Sequence, residues 1–249
     1  MKKEILGVIP ARYSSQRLEA KPLVDICGLP MIVRVWQNVS ESKFMQTVVV
    51  ATDDERIVEV CKQYNIPTVM TAPALPSGTD RVFAAYQKLG NSEKIVVNIQ
   101  GDEPLISSED IDKMLEKFLQ SNSDVGTLIA KIQTVEDLLN LGTVKIVLDA
   151  NKNAMYFSRS PIPFLRDFPK EKWLENATFW KHIGIYAYKI SALEKFVQLP
   201  LSDYETYEKL EQLRLLAQEA KFLCVETESN LVGVDTQEDL EKVRKIIGR

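Results

Sequence analysis

The chain has 249 residues, enough to bury a full hydrophobic core in one large domain or in one domain with an insertion. Hydrophobic residues at 45% and charged residues at 27% are ordinary for a globular protein and exclude a disordered or fibrous one. A net charge of −4 argues against a general nucleic-acid or anionic-membrane binder, so any anionic ligand must be held by a local cluster of cations.

The opening "MKKEILGVIPAR" is broken by proline and arginine before it could form a signal-peptide core, and no segment approaches the length of a membrane helix. A cytoplasmic protein is expected. Cys27, Cys61 and Cys224 are scattered and lie in no paired metal-ligand spacing, so they read as small buried or semi-buried residues.

Short β-branched runs then alternate with amphipathic segments: "ILGVI", "PMIVRVWQNVSES", "TVVVAT", "DDERIVEVCKQY", "PTVMT", "TDRVFAAYQKLG" and "KIVVNI". This is the pattern of βαβ units and predicts a parallel sheet flanked by helices. Asp53 and Asp54 open the second helix as cap and N-terminal acid, and Gly90 and Asn91 close the third. A further helix is predicted from Ser107 to Gln120, capped by Ser107 or Ser108.

Strands "VGTLIAKI", "TVKIVLD" and "AMYFS" follow, with turns at 140–142 and 151–153. Between Ser160 and Lys181 the texture changes to three prolines and two of the three tryptophans, with no clear period. This is either a partner surface or a packed surface loop. A strand at "HIGIYAYK", one helix over "YETYEKLEQLRLLAQEA", a strand at "KFLCVET" and a final helix capped by Thr236 complete the chain. With no repeat or linker, residues 1–249 are expected to form a single domain with an excursion at about 158–220.

Ligands of open α/β sheets bind at the carboxyl ends of the strands. Arg12, Arg17 and Lys21 follow the first strand, Ser77, Gly78, Thr79 and Arg81 the third, and Gln100, Asp102 and Glu103 the fourth. Three cations in ten residues are either solvated loop charges or a grip on several phosphate oxygens. Neither "GxxxxGK[ST]" nor "GxGxxG" is present, so phosphate would be held mainly by side chains. Asp102 in the turn "QGDEP" and Asp235 in "LVGVDTQED" are either turn and cap residues or a carboxylate pair suited to Mg²⁺. His182 is the sole histidine, which excludes histidine metal clusters and fits packing or the binding of a hydroxyl or carboxylate better than the base of a triad.

Taken in order, "IPARYSSQRLEAKPL", "VVVATDDERI", "PSGTDR", "VVNIQGDEP", "YFSRSPIP", "HIGIYAY", "LEQLRLL" and "GVDTQEDLEKV" resemble the CMP-Kdo synthetases, the 3-deoxy-manno-octulosonate cytidylyltransferases, over about residues 5–243. The resemblance implies a Rossmann-like nucleotidyltransferase fold: α/β, doubly wound, with a mostly parallel mixed sheet and a protruding dimerisation arm. It implies that CTP and the acidic eight-carbon sugar Kdo give CMP-Kdo and pyrophosphate with Mg²⁺, for the inner core of lipopolysaccharide, and that the protein is a homodimer.

The resemblance assigns Arg12 and Lys21 to the CTP phosphates, Ser77, Gly78 and Arg81 to the nucleotide region, and Asp102 and Asp235 to the metal. Gln100, Arg159, His182, Tyr186, Glu211 and Gln212 would line the sugar pocket, with Arg17 at its boundary with the phosphates. Another acidic sugar, such as an 8-amino relative of Kdo or a sialic acid, would leave the nucleotide half unchanged; a non-catalytic sugar-nucleotide binder is the third reading. One departure stands in the first loop, where the family's "LPGKPL" is "LEAKPL", with Glu19 and Ala20 in place of proline and glycine.

Overall fold

The computed structural model describes residues 4–14, 18–90, 92–229 and 231–248. The strands are β1 (Ile5–Ala11), β2 (Asp25–Ile26), β3 (Leu29–Pro30), β4 (Thr47–Thr52), β5 (Thr68–Met70), β6 (Ile95–Asn98), β7 (Val125–Lys131), β8 (Lys145–Leu148), β9 (Ala154–Ser158), β10 (Trp180–Lys189) and β11 (Phe222–Glu226). The helices are α1 (Met31–Ser40), α2 (Glu55–Gln63), α3 (Gly78–Lys88), α4 (Ser108–Leu119), α5 (Val135–Leu139), α6 (Trp173–Asn176), α7 (Ile190–Gln198), α8 (Asp203–Glu208), α9 (Gln212–Leu216) and α10 (Gln237–Ile247).

Nine strands form one mixed sheet whose main path runs β11-β7-β10-β6-β1-β4-β5. β1 lies between β4 and β6 and is parallel to both, so Val8 and Ile9 are fully enclosed and the strand reads as an unbroken apolar run. One core packs α1, α2, α4 and α10 on one face of the sheet. On the other face, α3, α7 and α9 pack through Val82, Ala85, Leu193, Phe196, Leu213 and Leu215.

The chain leaves β1 for β4 and β5 on one side and reaches β6 on the other. The order in which strands are added therefore reverses between the parallel β1 and β6, which opens a crevice at the carboxyl ends of both. β10 is antiparallel to β6 and β7 and carries a register shift between Ile183 and Tyr186. Past this bulge its amino-terminal half pairs with β8, and β8 pairs with β9.

Two of the predicted caps form as expected, while α2 is capped by Asp54 rather than by Asp53, whose carboxylate pairs with Arg81 instead. Asp54 accepts from the Arg56 amide, Ser107 from Asp110 and Thr236 from Asp239. Gly90 turns the chain after α3 at φ 105°, while Asn91 lies outside the described residues. Cys61 and Cys224 are buried, but Cys27 is exposed, in the β2–β3 turn at φ 51°.

The single helix expected over 204–220 is instead two, α8 and α9, with Lys209 between them at φ 54°. The break is held by tertiary contacts. Glu208 accepts from Ser158 Oγ and the Arg159 amide, and the guanidinium of Arg159 takes the carbonyls of Glu208 and Lys209. A buried fork from Arg214 to Glu205, at 2.8 and 2.6 Å, then ties α9 back to α8. β10 begins at Trp180, two residues before the expected strand, and α7 follows it directly. The segment before β10 packs around its own small core of Ile132, Leu138, Trp173 and Phe179, while Phe164 and Phe168 stay exposed.

Candidate active site

The first loop leaves β1 with Arg12, whose guanidinium donates to the Leu75 carbonyl at 2.7 Å and so fastens the loop to the segment ahead of α3. Nine residues on, a 3-10 turn over Lys21–Leu23 presents Lys21. Its ammonium meets Asp102 Oδ2 at 2.5 Å and Asp235 Oδ1 at 2.7 Å. Asp102 stands in the turn after β6, and its carbonyl accepts the Val234 amide at 2.8 Å, which brings Asp235 alongside. Thr236 caps α10, so Asp235 is left to face Lys21 rather than to serve as the cap. Burial opposes the Lys21 charge, but the two carboxylates outweigh it and hold its pKa above the ordinary lysine value.

Glu103 follows Asp102 in the chain and reaches toward Gly233. Its Oε2 is enclosed with no hydrogen-bond partner, and a Cβ on Gly233 would stand 3.1 Å from its Oε1, so glycine there admits the carboxyl group. Burial, with Asp102 next, pushes the Glu103 carboxyl up to about 8.

Arg12, Lys21, Gly78, Arg81, Gln100 and Asp102 line one cleft of about 260 Å³ at the point where the strand order reverses. Gly78 is the first residue of α3, and Ser77 caps that helix by accepting the Asp80 amide. Arg81 borders the cleft but is fully enclosed. It donates to Asp53 at 2.8 Å and Thr71 at 2.5 Å, so its charge is largely engaged by the protein. Arg17 lies outside the described residues.

A second cluster continues from Gln100. The Gln100 amide contacts Asn98 at 3.5 Å, Asn98 reaches Thr79 at 3.4 Å, and Thr79 donates to Glu211 at 2.8 Å. This chain joins β6, α3 and the start of α9, where Gln212 is buried. The rings of Tyr186 and Tyr188 stack at 5.6 Å, and His182 lies 5.3 Å from Tyr186. Burial lifts the pKa of both tyrosines above the ordinary value. The His182 Nε2 is 3.1 Å from Thr127 Oγ1, and burial pushes its pKa down to about 3, so the ring is neutral at physiological pH. Arg159 sits farther out, its guanidinium on the carbonyls of Glu208, Leu141 and Lys209.

Sequence reasoning missed Asn98 and Tyr188, which stand on the strands rather than after them, and the pairing of Asp53 with Arg81. It also missed Lys145, a fully buried lysine on the carbonyls of Asn140 and Thr143 whose pKa burial pushes down to about 8.

Two carboxylate oxygens converging on one cationic centre suit a hard divalent ion such as Mg²⁺, which takes one or two carboxylates and fills its shell with phosphate oxygens and water. Among the described residues no group of three or more His, Cys, Asp and Glu could hold a metal ion without such help.

The cytidylyltransferase family model matches residues 6–222. A 3-deoxy-manno-octulosonate cytidylyltransferase from Parabacteroides distasonis is 44% identical over 243 residues, covering 96% of each chain. One from Francisella tularensis subsp. tularensis is 45% identical over 242 residues, again covering 96% of each. This chain belongs to the 3-deoxy-manno-octulosonate cytidylyltransferase family. Its fold superposes on a CMP:2-keto-3-deoxy-manno-octonic acid synthetase solved with CTP, at a TM-score of 0.90 and 38% identity over 98% of both chains.

The departure at Ala20 from the cytidylyltransferase loop pattern has a conformational cost. Ala20 sits at φ 50° and ψ 31°, the left-handed region that glycine enters without a Cβ clash. Ala20→Gly is expected to stabilise the protein by about 1 kcal/mol, read as a higher urea midpoint with unchanged slope. An unchanged or lower midpoint would contradict the assignment of strain to this turn.

For His182 the unfolded ring, at about 6.5, takes up a proton that the folded ring refuses until about 3. Stability is therefore lost as pH falls through that window and is unaffected above it. His182→Gln should remove about 1–2 kcal/mol of the stability loss between pH 7 and pH 5, measured by urea unfolding at both. An identical loss in both proteins would show that the ring titrates freely.

Proposed function

We propose that this chain transfers CMP from CTP to the anomeric hydroxyl of 3-deoxy-manno-octulosonate and releases pyrophosphate, supplying the activated sugar for the lipopolysaccharide inner core. The observation that carries this reading is the meeting of Lys21, Asp102 and Asp235 beside Arg12 in a cleft where the strand order reverses, in a chain that is 44% identical to a named cytidylyltransferase.

The sugar oxygen attacks the α-phosphorus, the new O–P bond forms as the bond to the β-phosphate oxygen breaks, and the hydroxyl proton leaves to solvent. Such chemistry is accelerated mainly by positioning and by neutralising charge. Arg12, with donors left beyond its bond to Leu75, and Lys21 would hold the phosphates, and the Gly78 end of α3 lies against the same cleft. Mg²⁺ held by Asp102 and Asp235 would draw charge from the α-phosphate oxygens and favour ionisation of the attacking hydroxyl.

Gln100, Tyr186, Glu211, Gln212 and neutral His182 supply donors and acceptors for the sugar hydroxyls. The carbonyls that grip Arg159 hold its plane and leave N–H groups for the sugar carboxylate. Ser77 shapes the nucleotide end by capping α3, and Arg81 forms a wall there. The same reading makes the protein a cytoplasmic homodimer. Exposed Leu141, Met155, Tyr204 and Tyr207 around the β8–β9 ribbon and α8 support burial against a second copy.

The test is pyrophosphate release from CTP with Kdo, 8-amino-Kdo and a sialic acid, each with and without Mg²⁺. Kdo with Mg²⁺ should give the highest kcat/KM, and Asp102→Asn should lower kcat about a hundredfold or more with the fold intact. Preference for another sugar would overturn the substrate, and near-normal turnover of Asp102→Asn would overturn the metal role.

A further inference from the structure

The ammonium of Lys21 stands within hydrogen-bond distance of both carboxylates that would hold the metal ion. It arrives there from the first loop, whereas Asp102 comes from the turn after β6 and Asp235 from the segment before α10. Its side chain is only 14% exposed, against 46% for Asp235, so the cation is settled inward of the more open acid. One ammonium and one divalent ion cannot share the same oxygens from the same side. The proposed reaction also needs this lysine elsewhere, on the phosphates of CTP.

We infer that Lys21 and the divalent cation compete for Asp102 and Asp235, and that nucleotide settles the competition. This rests on the cytidylyltransferase reading above and deepens it. In the free protein the ammonium bridges the two carboxylates. When the triphosphate enters beside Arg12, its oxygens draw the ammonium away, and the same oxygens complete the ligand set of the incoming ion. The pair of acids therefore takes up a divalent cation together with nucleotide rather than before it, and a cation alone meets an occupied seat.

The strength of the effect follows from how seldom the seat is open, because apparent affinity falls by the fraction of molecules that are competent to bind. An ammonium in place for about nine-tenths of the time or more weakens cation binding about tenfold or more.

Mn²⁺ alone is the probe, with free Mn²⁺ followed by electron paramagnetic resonance on the full chain. Without nucleotide, Lys21→Met should bind Mn²⁺ about tenfold or more tightly than the wild type, whereas Lys21→Arg, which keeps a cation at the seat, should bind as weakly as the wild type. Adding CTP should tighten binding in the wild type and narrow its gap to Lys21→Met. Thermal unfolding gives a second readout: Mn²⁺ should raise the melting temperature of Lys21→Met more than that of the wild type. Lys21→Gln replaces Lys21→Met if the latter does not fold.

Equal affinities in the wild type and Lys21→Met, with both lost in the Asp102→Asn background, would overturn the competition and leave the metal site standing. Mn²⁺ binding that Asp102→Asn does not weaken, with or without CTP, would overturn both the competition and the metal site.

Discussion

The structure turns on the ammonium of Lys21 between Asp102 and Asp235, residues 81 and 214 positions away in sequence. This bridge joins the first loop, the turn after β6 and the segment leading into α10. Two carboxylates near each other and partly removed from water repel one another unless a cation lies between them. The ammonium meets that condition, and the amide of Val234 on the Asp102 carbonyl fixes the backbone geometry that makes it possible. Glu103, next to Asp102 and pushed toward its neutral form, adds little negative charge to a place that already holds two acids.

The fold supplies the meeting point. Parallel β1 and β6 end side by side where the strand order reverses, so loops distant in sequence discharge into one crevice. Antiparallel β10 then carries the other half of the site. At alternate positions of this strand His182, Tyr186 and Tyr188 share one face, where Tyr186 packs against both of the other rings, and the break between α8 and α9 sets Glu211 against Thr79. The buried Arg214–Glu205 fork that secures the break lies outside the cleft, yet it determines where Glu211 and Gln212 stand. A half built from the loops that leave β1 and β6 thus abuts a half shaped by side-chain hydrogen bonds.

Much of this was legible in the sequence because parallel strands buried on both faces leave continuous β-branched runs, and because the ends of those runs carry the charged residues. Arg12, Lys21, Gln100 and Asp102 were found in that way, and they line one cleft. The split of the 204–220 segment was not legible. No glycine or proline marks Lys209, whose left-handed conformation is held by contacts that Ser158 and Arg159 make from elsewhere in the chain. The engagement of Arg81 was hidden for the same reason, since its partners Asp53 and Thr71 follow other strands and meet it only in the folded sheet. Asn98 and Tyr188 were passed over because, within a strand, a polar or aromatic residue carries no local sign of which face it serves.

The most direct measurement is a pair of crystal structures, one of the free protein and one of its complex with CTP and Mg²⁺. The account predicts the Lys21 ammonium between Asp102 and Asp235 in the first, and on the triphosphate with both carboxylates on the metal in the second. A Lys21 that contacts neither aspartate in the free protein, or that keeps both in the complex, would contradict it.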